Sequence, residues 1–244
     1  MHDKRPDPPA AGPTPQSKSR KTVVIVAALL VLTVAAATGW GAAWWLNHTR
    51  TPILAVGAQA RLELNPVFQD SDSAIIAAIE RRNSTLAGDF TDRPVAEDVQ
   101  AALGWAATGK NRDGTGFVVP LAMGAEPYVS VYLATSTGVS RFDWKTNELV
   151  VVSADDVRSV LVTPGYAKQA PCLMLFVIDQ DSAPGGADNG YIAVGAMTQN
   201  VYLLADELNV QTRFIASIDH DQFRDQLRLS STQIPAGAIV MAAK

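Results

Sequence analysis

The chain has 244 residues, of which 48% are hydrophobic and 18% are charged, and its formal net charge is −4. The negative charge and the lack of a basic run after residue 50 argue against nucleic acid as a partner. Cys172 is the only cysteine, so an internal disulfide is excluded, and together with His220 it cannot supply the ligands of a zinc site. A Ser-His-Asp or Cys-His mechanism likewise lacks a candidate base.

The N-terminal quarter of the chain predicts a membrane anchor. Residues 1–21 carry five prolines among small and charged residues, which predicts a disordered cytoplasmic tail. Residues 22–46 contain no charged residue and are long enough to cross a hydrocarbon core of about 30 Å. Most flanking Lys and Arg residues precede this span, which predicts a single-pass protein of the cell membrane with an extracytoplasmic C-terminal domain. The alternative is a cleaved secretory signal, for which Ala35–Ala37 offers a cleavage site.

Residues 47–70 are interpreted as a linker and residues 71–244 as the folded domain. Ser71 or Asp72 is expected to cap a short first helix with an apolar face. Further on, helical and alternating apolar patterns predict an α+β domain with helices over a mainly antiparallel sheet of four or five strands. The predicted elements after the first helix are a helix at 95–108, strands at 128–135, 139–144 and 148–152, a helix at 153–161, a fully buried strand at 171–178, a strand at 212–218, a helix beginning at Asp219 and a strand at 238–241.

The stretch Gly190–Leu208 is apolar on nearly every side and predicts a buried central helix. Asp188 or Asn189 is expected to cap its N-terminus, and Asn209 is expected to end it in a left-handed conformation. Ala193, Gly195 and Ala196 form a small-residue face that would admit a sheet or a symmetry-related helix. The polar trio Thr198-Gln199-Asn200 requires hydrogen-bond partners, either in the core or at a cofactor or subunit interface.

Arg81-Arg82-Asn83 follows the first helix and is a candidate phosphate site, because guanidinium groups match phosphate oxygens. The alternative is that both arginines simply complement the helix macrodipole at its C-terminal end. The loop Lys110–Gly116 is polar and contains two glycines, a composition typical of ligand-binding loops and also of plain turns.

The order of these segments resembles the nitroreductase family of flavin enzymes, in particular its thiazoline-oxidase-like branch. The family pattern Arg-Arg-Ser followed by Phe and Pro is matched by Arg81-Arg82-Asn83 and Phe90–Pro94. The later matches are Ala106–Gly109, Asn111–Gly114, Pro120–Ala122, Gly138–Asp143, Asn147–Leu149 and Gly195–Asn200.

This resemblance implies a nitroreductase-like fold and a homodimer that binds FMN at the subunit interface and transfers hydride to an acceptor. It places the FMN phosphate at Arg81, Arg82 and Asn83. It also places Asn111, Arg112 and Thr115 near the ribityl chain or the ring, and Lys244 at a basic position near the family's C-terminus. No catalytic side chain and no metal ligand is implied.

The sequence also departs from the family pattern. Ser84–Gly88 lacks the usual basic residue, and Leu121 replaces the serine of Pro-Ser-Ala. The alternative function is therefore a flavin-free nitroreductase-like scaffold that acts as a dimeric binding or assembly module, with a protein partner in the cell envelope.

Overall fold

The computed structural model of the chain describes residues 73–114 and 116–244. The predicted tail, membrane span and linker lie outside the described residues. Among the residues that are described, no helix is both long enough and apolar enough to cross a membrane.

Within residues 73–114 and 116–244, six strands form a single sheet. They are β1 (Val129–Thr135), β2 (Gly138–Asp143), β3 (Glu148–Ser153), β4 (Cys172–Asp179), β5 (Val210–Ile215) and β6 (Gln233–Ala243). Their spatial order is β3-β2-β1-β4-β6-β5, and every neighbouring pair is antiparallel. The predicted antiparallel sheet is therefore confirmed: all six strands that were predicted one by one join it, so the predicted total of four or five was too low.

Two of the helices precede the first strand, and the other four lie between later strands of the sequence. They are α1 (Ala74–Arg81), α2 (Glu97–Thr108), α3 (Arg158–Leu161), α4 (Gly165–Lys168), α5 (Ala187–Glu207) and α6 (His220–Gln226), with a 3-10 turn at Ala122–Gly124. The α+β class predicted from the sequence is confirmed.

Strand β4 shows how the core divides into two layers. Seven of its eight residues are buried, so the strand is apolar on both faces. Its even-numbered residues, from Cys172 to Ile178, pack in one hydrophobic cluster with residues of α2 and α5. Leu173, Leu175 and Val177 pack in the other cluster with residues of α3, α4 and α6. Helices therefore cover both faces of the sheet.

Helix α5 approaches the sheet closely at Gly190. A Cβ at this position would lie 2.4 Å from Cγ2 of Ile178, so a larger residue would push α5 away from β4. At its other end α5 stops as predicted, because Asn209 takes the left-handed conformation with φ of 55°.

Three predicted helix caps are wrong. The first helix begins at Ala74 with Ser73 as its N-cap, instead of the predicted Ser71 or Asp72. Ser153 ends β3, where it pairs with Val139, and its hydroxyl accepts a hydrogen bond from the Asp155 N–H at 3.1 Å, which makes a local turn. The central helix begins at Ala187, after Gly186 with φ of 70°, so the predicted cap positions 188 and 189 are already helical. The cap predicted at Asp219 is confirmed, since its Oδ1 accepts from the Gln222 N–H at 3.0 Å.

Candidate functional site

Helix α5 has one side on the core and one side open. Five of its seven buried residues, among them Met197 and Val201, belong to the hydrophobic cluster that packs against the sheet and α2. The prediction of a helix buried on nearly every side is wrong on the other side, where Tyr191 and Ile192 are 49% and 67% exposed. Gly195 lies on the same open side, and nothing approaches within 4 Å of the position its Cβ would take. The small-residue face is therefore available to another element at Gly195.

The polar trio in the middle of α5 divides into three environments. The Asn200 side chain donates to the carbonyl oxygens of Ala106 and Val118 at 3.2 and 3.1 Å, so this amide serves the core. Gln199 is exposed. Thr198 is the unusual member, because its Oγ1 is buried and has no hydrogen-bond partner among the described residues. A buried hydroxyl without a protein partner is open to a hydrogen bond from an ordered water or from a bound group.

Thr198 lines an open groove of about 510 Å³ beside α5, which we call the Arg82 groove. Its walls combine one cation, the polar side chains of a threonine and a glutamine, two tyrosines, and an apolar floor that comes from α5 and the β5–β6 side of the sheet. The lining residues are Arg82, Tyr191, Val194, Gly195, Thr198, Gln199, Tyr202, Phe214, Ala216 and Ala236.

Arg82 is half-buried in this groove, and its Cζ lies 5.6 Å from the centroid of the Tyr202 ring. Among the described residues no carboxylate pairs with its guanidinium. The Tyr202 ring is held in place at its hydroxyl, which accepts a hydrogen bond from the Phe214 N–H at 2.6 Å and lies 2.8 Å from Ser84 Oγ. A fixed aromatic face thus supports a cation whose donors are free for an anionic ligand.

The other predicted phosphate ligands are engaged elsewhere. Arg81 Nε lies 2.9 Å from Asp206 Oδ2, and the same guanidinium also contacts Glu207. Lys244 Nζ lies 2.8 Å from the second oxygen of Asp206. The Asn83 side chain turns back to the Arg81 carbonyl oxygen at 3.2 Å. The structure therefore brings Arg81 and Lys244 together at the C-terminal end of α5, but on carboxylates; these four charged residues form what we call the Asp206 cluster.

The ion pairs of the Asp206 cluster shift the pKa values of Asp206 and Arg81. The hydrogen bonds from Lys244 and then from Arg81 hold the pKa of the Asp206 carboxyl below its ordinary value, against a smaller opposing effect of burial. The hydrogen bond to Asp206 and the charge of Glu207 raise the pKa of Arg81. Both shifts favour the charged forms, so the cluster is a closed ionic network at neutral pH.

We expect acid to weaken this network. The pKa of Asp206 is lower in the folded state, so its stabilising contribution is present above its unfolded pKa and is lost as pH falls through the folded pKa. Asp206→Asn should therefore lower the melting temperature by roughly 1–3 °C at pH 7, and the difference from the wild type should shrink as pH falls below the ordinary carboxyl pKa of 3.8. Thermal unfolding followed by circular dichroism from neutral pH into the acid range measures this. A difference that grows as the pH falls below that value would contradict it.

Of the predicted ring and ribityl ligands, Asn111 lies at a second groove. Asn111 lines an apolar groove of about 590 Å³ between α1, α2 and α5, which we call the Ile75 groove and which also includes Trp105 and Leu203. The Asn111 side chain accepts a hydrogen bond from Arg112 at 3.1 Å. Neither residue reaches the Arg82 groove. Thr115 lies outside the described residues, and the roles of all three stay predictions.

Sequence reasoning missed Tyr202 and Asp206 as parts of the site. Both lie on the same face of α5 as Thr198, four and eight residues after it, and this helical spacing can be recognised in the sequence. The residues that they contact could not be deduced from the sequence. Arg81 and Asp206 are 125 positions apart, and only the packing of α1 against α5 brings them together.

Two other chemistries find no support among the described residues. No group of three or more His, Cys, Asp and Glu side chains is placed to hold a metal ion in the part of the chain that is described. Cys172 is fully buried in β4, and burial raises the pKa of its thiol to about 12. The thiol therefore stays protonated and unreactive.

The fold matches several solved structures. A putative nitroreductase from Ralstonia eutropha JMP134 superposes with a TM-score of 0.63 at 23% identity, over 75% of this chain and 87% of that one. A chain of the E. coli microcin synthetase McbBCD complex with truncated pro-MccB17 bound gives 0.56 at 15% identity, over 80% and 83%. A putative nitroreductase from Anabaena variabilis gives 0.55 at 16% identity, over 69% of this chain and 38% of that one. At these identities the similarity establishes the fold.

The sequence itself establishes the family. The model of the Nitroreductase family matches residues 79–243, which is about two thirds of the chain, and the chain therefore belongs to the nitroreductase family. No curated protein matches the sequence. The family assignment implied by the sequence motifs is confirmed.

Proposed function

We propose that this protein is a membrane-anchored, FMN-dependent oxidoreductase of the nitroreductase type that works as a homodimer. The observation that carries the proposal is the Arg82 groove, in which a cation without a carboxylate partner and a buried hydroxyl without a hydrogen-bond partner flank an apolar floor. Its volume lies within the usual range of cofactor sites, roughly 300–1,000 Å³. Membership of the family supports FMN as the group that it takes.

The residues of this groove fit a flavin in three respects. Arg82 would bind the phosphate through its free N–H donors. The Thr198 hydroxyl and the Gln199 amide would hydrogen-bond the polar edge of the ring, and Val194, Phe214 and Ala236 would cover its apolar part. When bound, FMN would supply the hydride chemistry, while this chain binds and orients the ring and excludes water from it.

The fit at the phosphate differs from the one the family pattern implies. In the Asp206 cluster the charges of Arg81 and Lys244 are offset by Asp206 and Glu207, so this cluster offers a dianionic phosphate no net attraction. We therefore assign the phosphate to Arg82 alone among the predicted cations.

Dimerisation would explain the open side of α5. Tyr191 and Ile192 are large exposed residues beside the Arg82 groove, and Ile75 and Ile79 of α1 are 70% and 54% exposed beside the Ile75 groove. Large apolar side chains exposed along two adjacent helices are typical of subunit interfaces. The partner subunit would close both grooves, and residues 22–46 would hold the dimer at the extracytoplasmic side of the membrane.

A second function is favoured by the Asp206 cluster itself. In a scaffold that does not bind flavin, Arg81 and Lys244 need not contact a phosphate and can pair with carboxylates. Both residues are bound to carboxylates here. In that case the protein would be a dimeric binding or assembly module in the cell envelope, and its apolar grooves would take a protein partner.

The deciding experiment is an FMN titration of the full-length chain in detergent, with an absorbance spectrum of the protein as purified. The proposed enzyme should show flavin bands or quench added FMN fluorescence with a Kd at or below roughly 10 μM. Thr198→Val is the matched variant, because it removes the unpartnered hydroxyl and keeps the side-chain shape. It should weaken FMN by roughly five- to tenfold without lowering the melting temperature.

The outcomes separate the two functions. A bound flavin that is reduced by dithionite and reoxidised by a quinone such as menadione would support the oxidoreductase. A colourless protein that ignores FMN at hundreds of micromolar but sediments as a dimer would overturn it and favour the scaffold.

A further inference from the structure

The two edges of the sheet differ in how they are covered. At one edge the chain that follows α1 lies along β5, where the Thr85 N–H donates to the Thr212 carbonyl oxygen at 2.9 Å. The Gln211 side chain holds the same segment, because it donates to the Asp89 carbonyl oxygen at 2.7 Å and accepts from the Thr91 N–H at 2.8 Å. At the other edge, within the described part of the chain, no strand pairs with the outer side of β3 and no backbone hydrogen bond from another segment reaches it. Strand β3 is therefore an open edge.

The composition of β3 favours pairing with another strand. Natural proteins usually place charged residues or proline on an open edge, because its free N–H and C=O groups otherwise recruit a further strand. Residues 149–154 contain neither a charged residue nor a proline. The centre of the strand is Val150-Val151-Val152, whose side chains are 42%, 72% and 50% exposed. Three adjacent β-branched residues favour the extended conformation and present an apolar edge to a partner strand.

The sequence of β3 fits a second copy of itself in one register. Two antiparallel β3 strands related by a two-fold axis can place Val151 of both copies opposite each other. Val150 of each copy then lies opposite Val152 of the other, and Glu148 faces no charged residue. A shift of two residues in one direction would place Glu148 opposite Asp156, where like charges repel, and a shift in the other direction would cover its charge with Val152. The charges at the ends of the strand therefore select the register that pairs the valines.

We propose that the outer edge of β3 is an interface at which a second copy of this chain pairs antiparallel, so that two sheets join into one continuous sheet. No residue of β3 lines the Arg82 groove or the Ile75 groove, so this interface is separate from the dimer contact proposed there and does not depend on FMN. A subunit with two different two-fold interfaces joins dimers into larger assemblies. A strand of six residues is too short to bury the roughly 1,200–2,000 Å² of a stable interface, so the contact should depend on protein concentration.

The test is disulfide cross-linking of the full-length chain in detergent, followed by non-reducing gel electrophoresis. The only native cysteine, Cys172, is fully buried, so an introduced thiol is the one that reacts. Val151→Cys places two thiols directly opposite each other, with Cβ atoms about 4–5 Å apart, where a disulfide can form. Val150→Cys is the matched control on the same strand, because its two thiols would be diagonal neighbours about 7–8 Å apart. At about 50 μM protein Val151→Cys should cross-link at least roughly tenfold faster, since paired strands hold their thiols at an effective concentration in the millimolar range.

Val152→Lys, added to Val151→Cys, tests whether strand pairing causes the cross-link. It sets a charge against Val150 of the other copy, and cross-linking should slow by at least roughly tenfold. The melting temperature should stay within about 2 °C, because the side chain at position 152 is exposed. Equal cross-linking rates for Val151→Cys and Val150→Cys would show random collision and overturn the proposal. A rate that the added lysine leaves unchanged would overturn it as well.

Discussion

Replacing Arg82 with glutamine should weaken FMN binding by roughly 10- to 100-fold, the loss expected when one charge-assisted hydrogen bond to a phosphate is removed. The guanidinium lies against the Tyr202 ring and has no carboxylate partner among the described residues, so its donors are committed to no other group. Glutamine keeps a polar side chain of intermediate length but removes the charge. The measurement is the quenching of FMN fluorescence on titration with the variant.

Arg81→Gln is the control that separates a specific contact of Arg82 with the phosphate from the general effect of removing a positive charge. Arg81 is the neighbouring residue and was an equal candidate from the sequence, but its guanidinium is bound to Asp206 and Glu207. FMN affinity should therefore change by less than roughly threefold. Equal losses for both variants would contradict the assignment of the phosphate to Arg82 and would mean that the Asp206 cluster opens to receive it.

The parts of the fold that could be predicted are those in which a local sequence pattern is compatible with only one kind of secondary structure and burial. The apolar run that became β4 is too short for a buried helix of ordinary length and carries no polar face, so a strand buried on both sides was the best reading. The long apolar stretch of α5 similarly required burial of at least one face. Helix starts were less predictable, because a serine such as Ser153 forms the same hydrogen bonds in a turn as at a helix cap.

The candidate site was harder to predict because its contacts join distant parts of the chain. The motif Arg81-Arg82-Asn83 indicated a phosphate site, but nothing local distinguishes two adjacent arginines. The distinction arises because α5 presents Asp206 to one arginine and the ring of Tyr202 to the other. The family motifs located the segments of the site, whereas the pairing of charges within it depends on how α1 packs against α5.

Asn200→Asp should destabilise the protein by about 2–5 kcal/mol, a fall in melting temperature of about 5–15 °C. The Asn200 amide donates to the carbonyl oxygens of Ala106 and Val118, and it thereby ties α5 to the end of α2 and to the chain that leads into β1. Aspartate has nearly the same size but no N–H donors. Both carbonyl groups would lose their partner, and a negative charge would face two carbonyl oxygens in a partly buried position.

The dependence on pH separates this explanation from a simple packing defect. Two facing carbonyl oxygens should raise the pKa of the introduced carboxyl in the folded state above its unfolded value of about 3.9, because its protonated form can donate to one of them. The deficit should therefore be smallest below about pH 4 and should grow as pH rises through the folded pKa. Gln199→Glu is the control, since it introduces the same charge at the adjacent exposed position and should cost less than about 0.5 kcal/mol. Thermal unfolding of both variants from pH 3 to pH 8 decides the matter: a deficit for Asn200→Asp that does not change with pH would show that the two hydrogen bonds are not what the amide contributes.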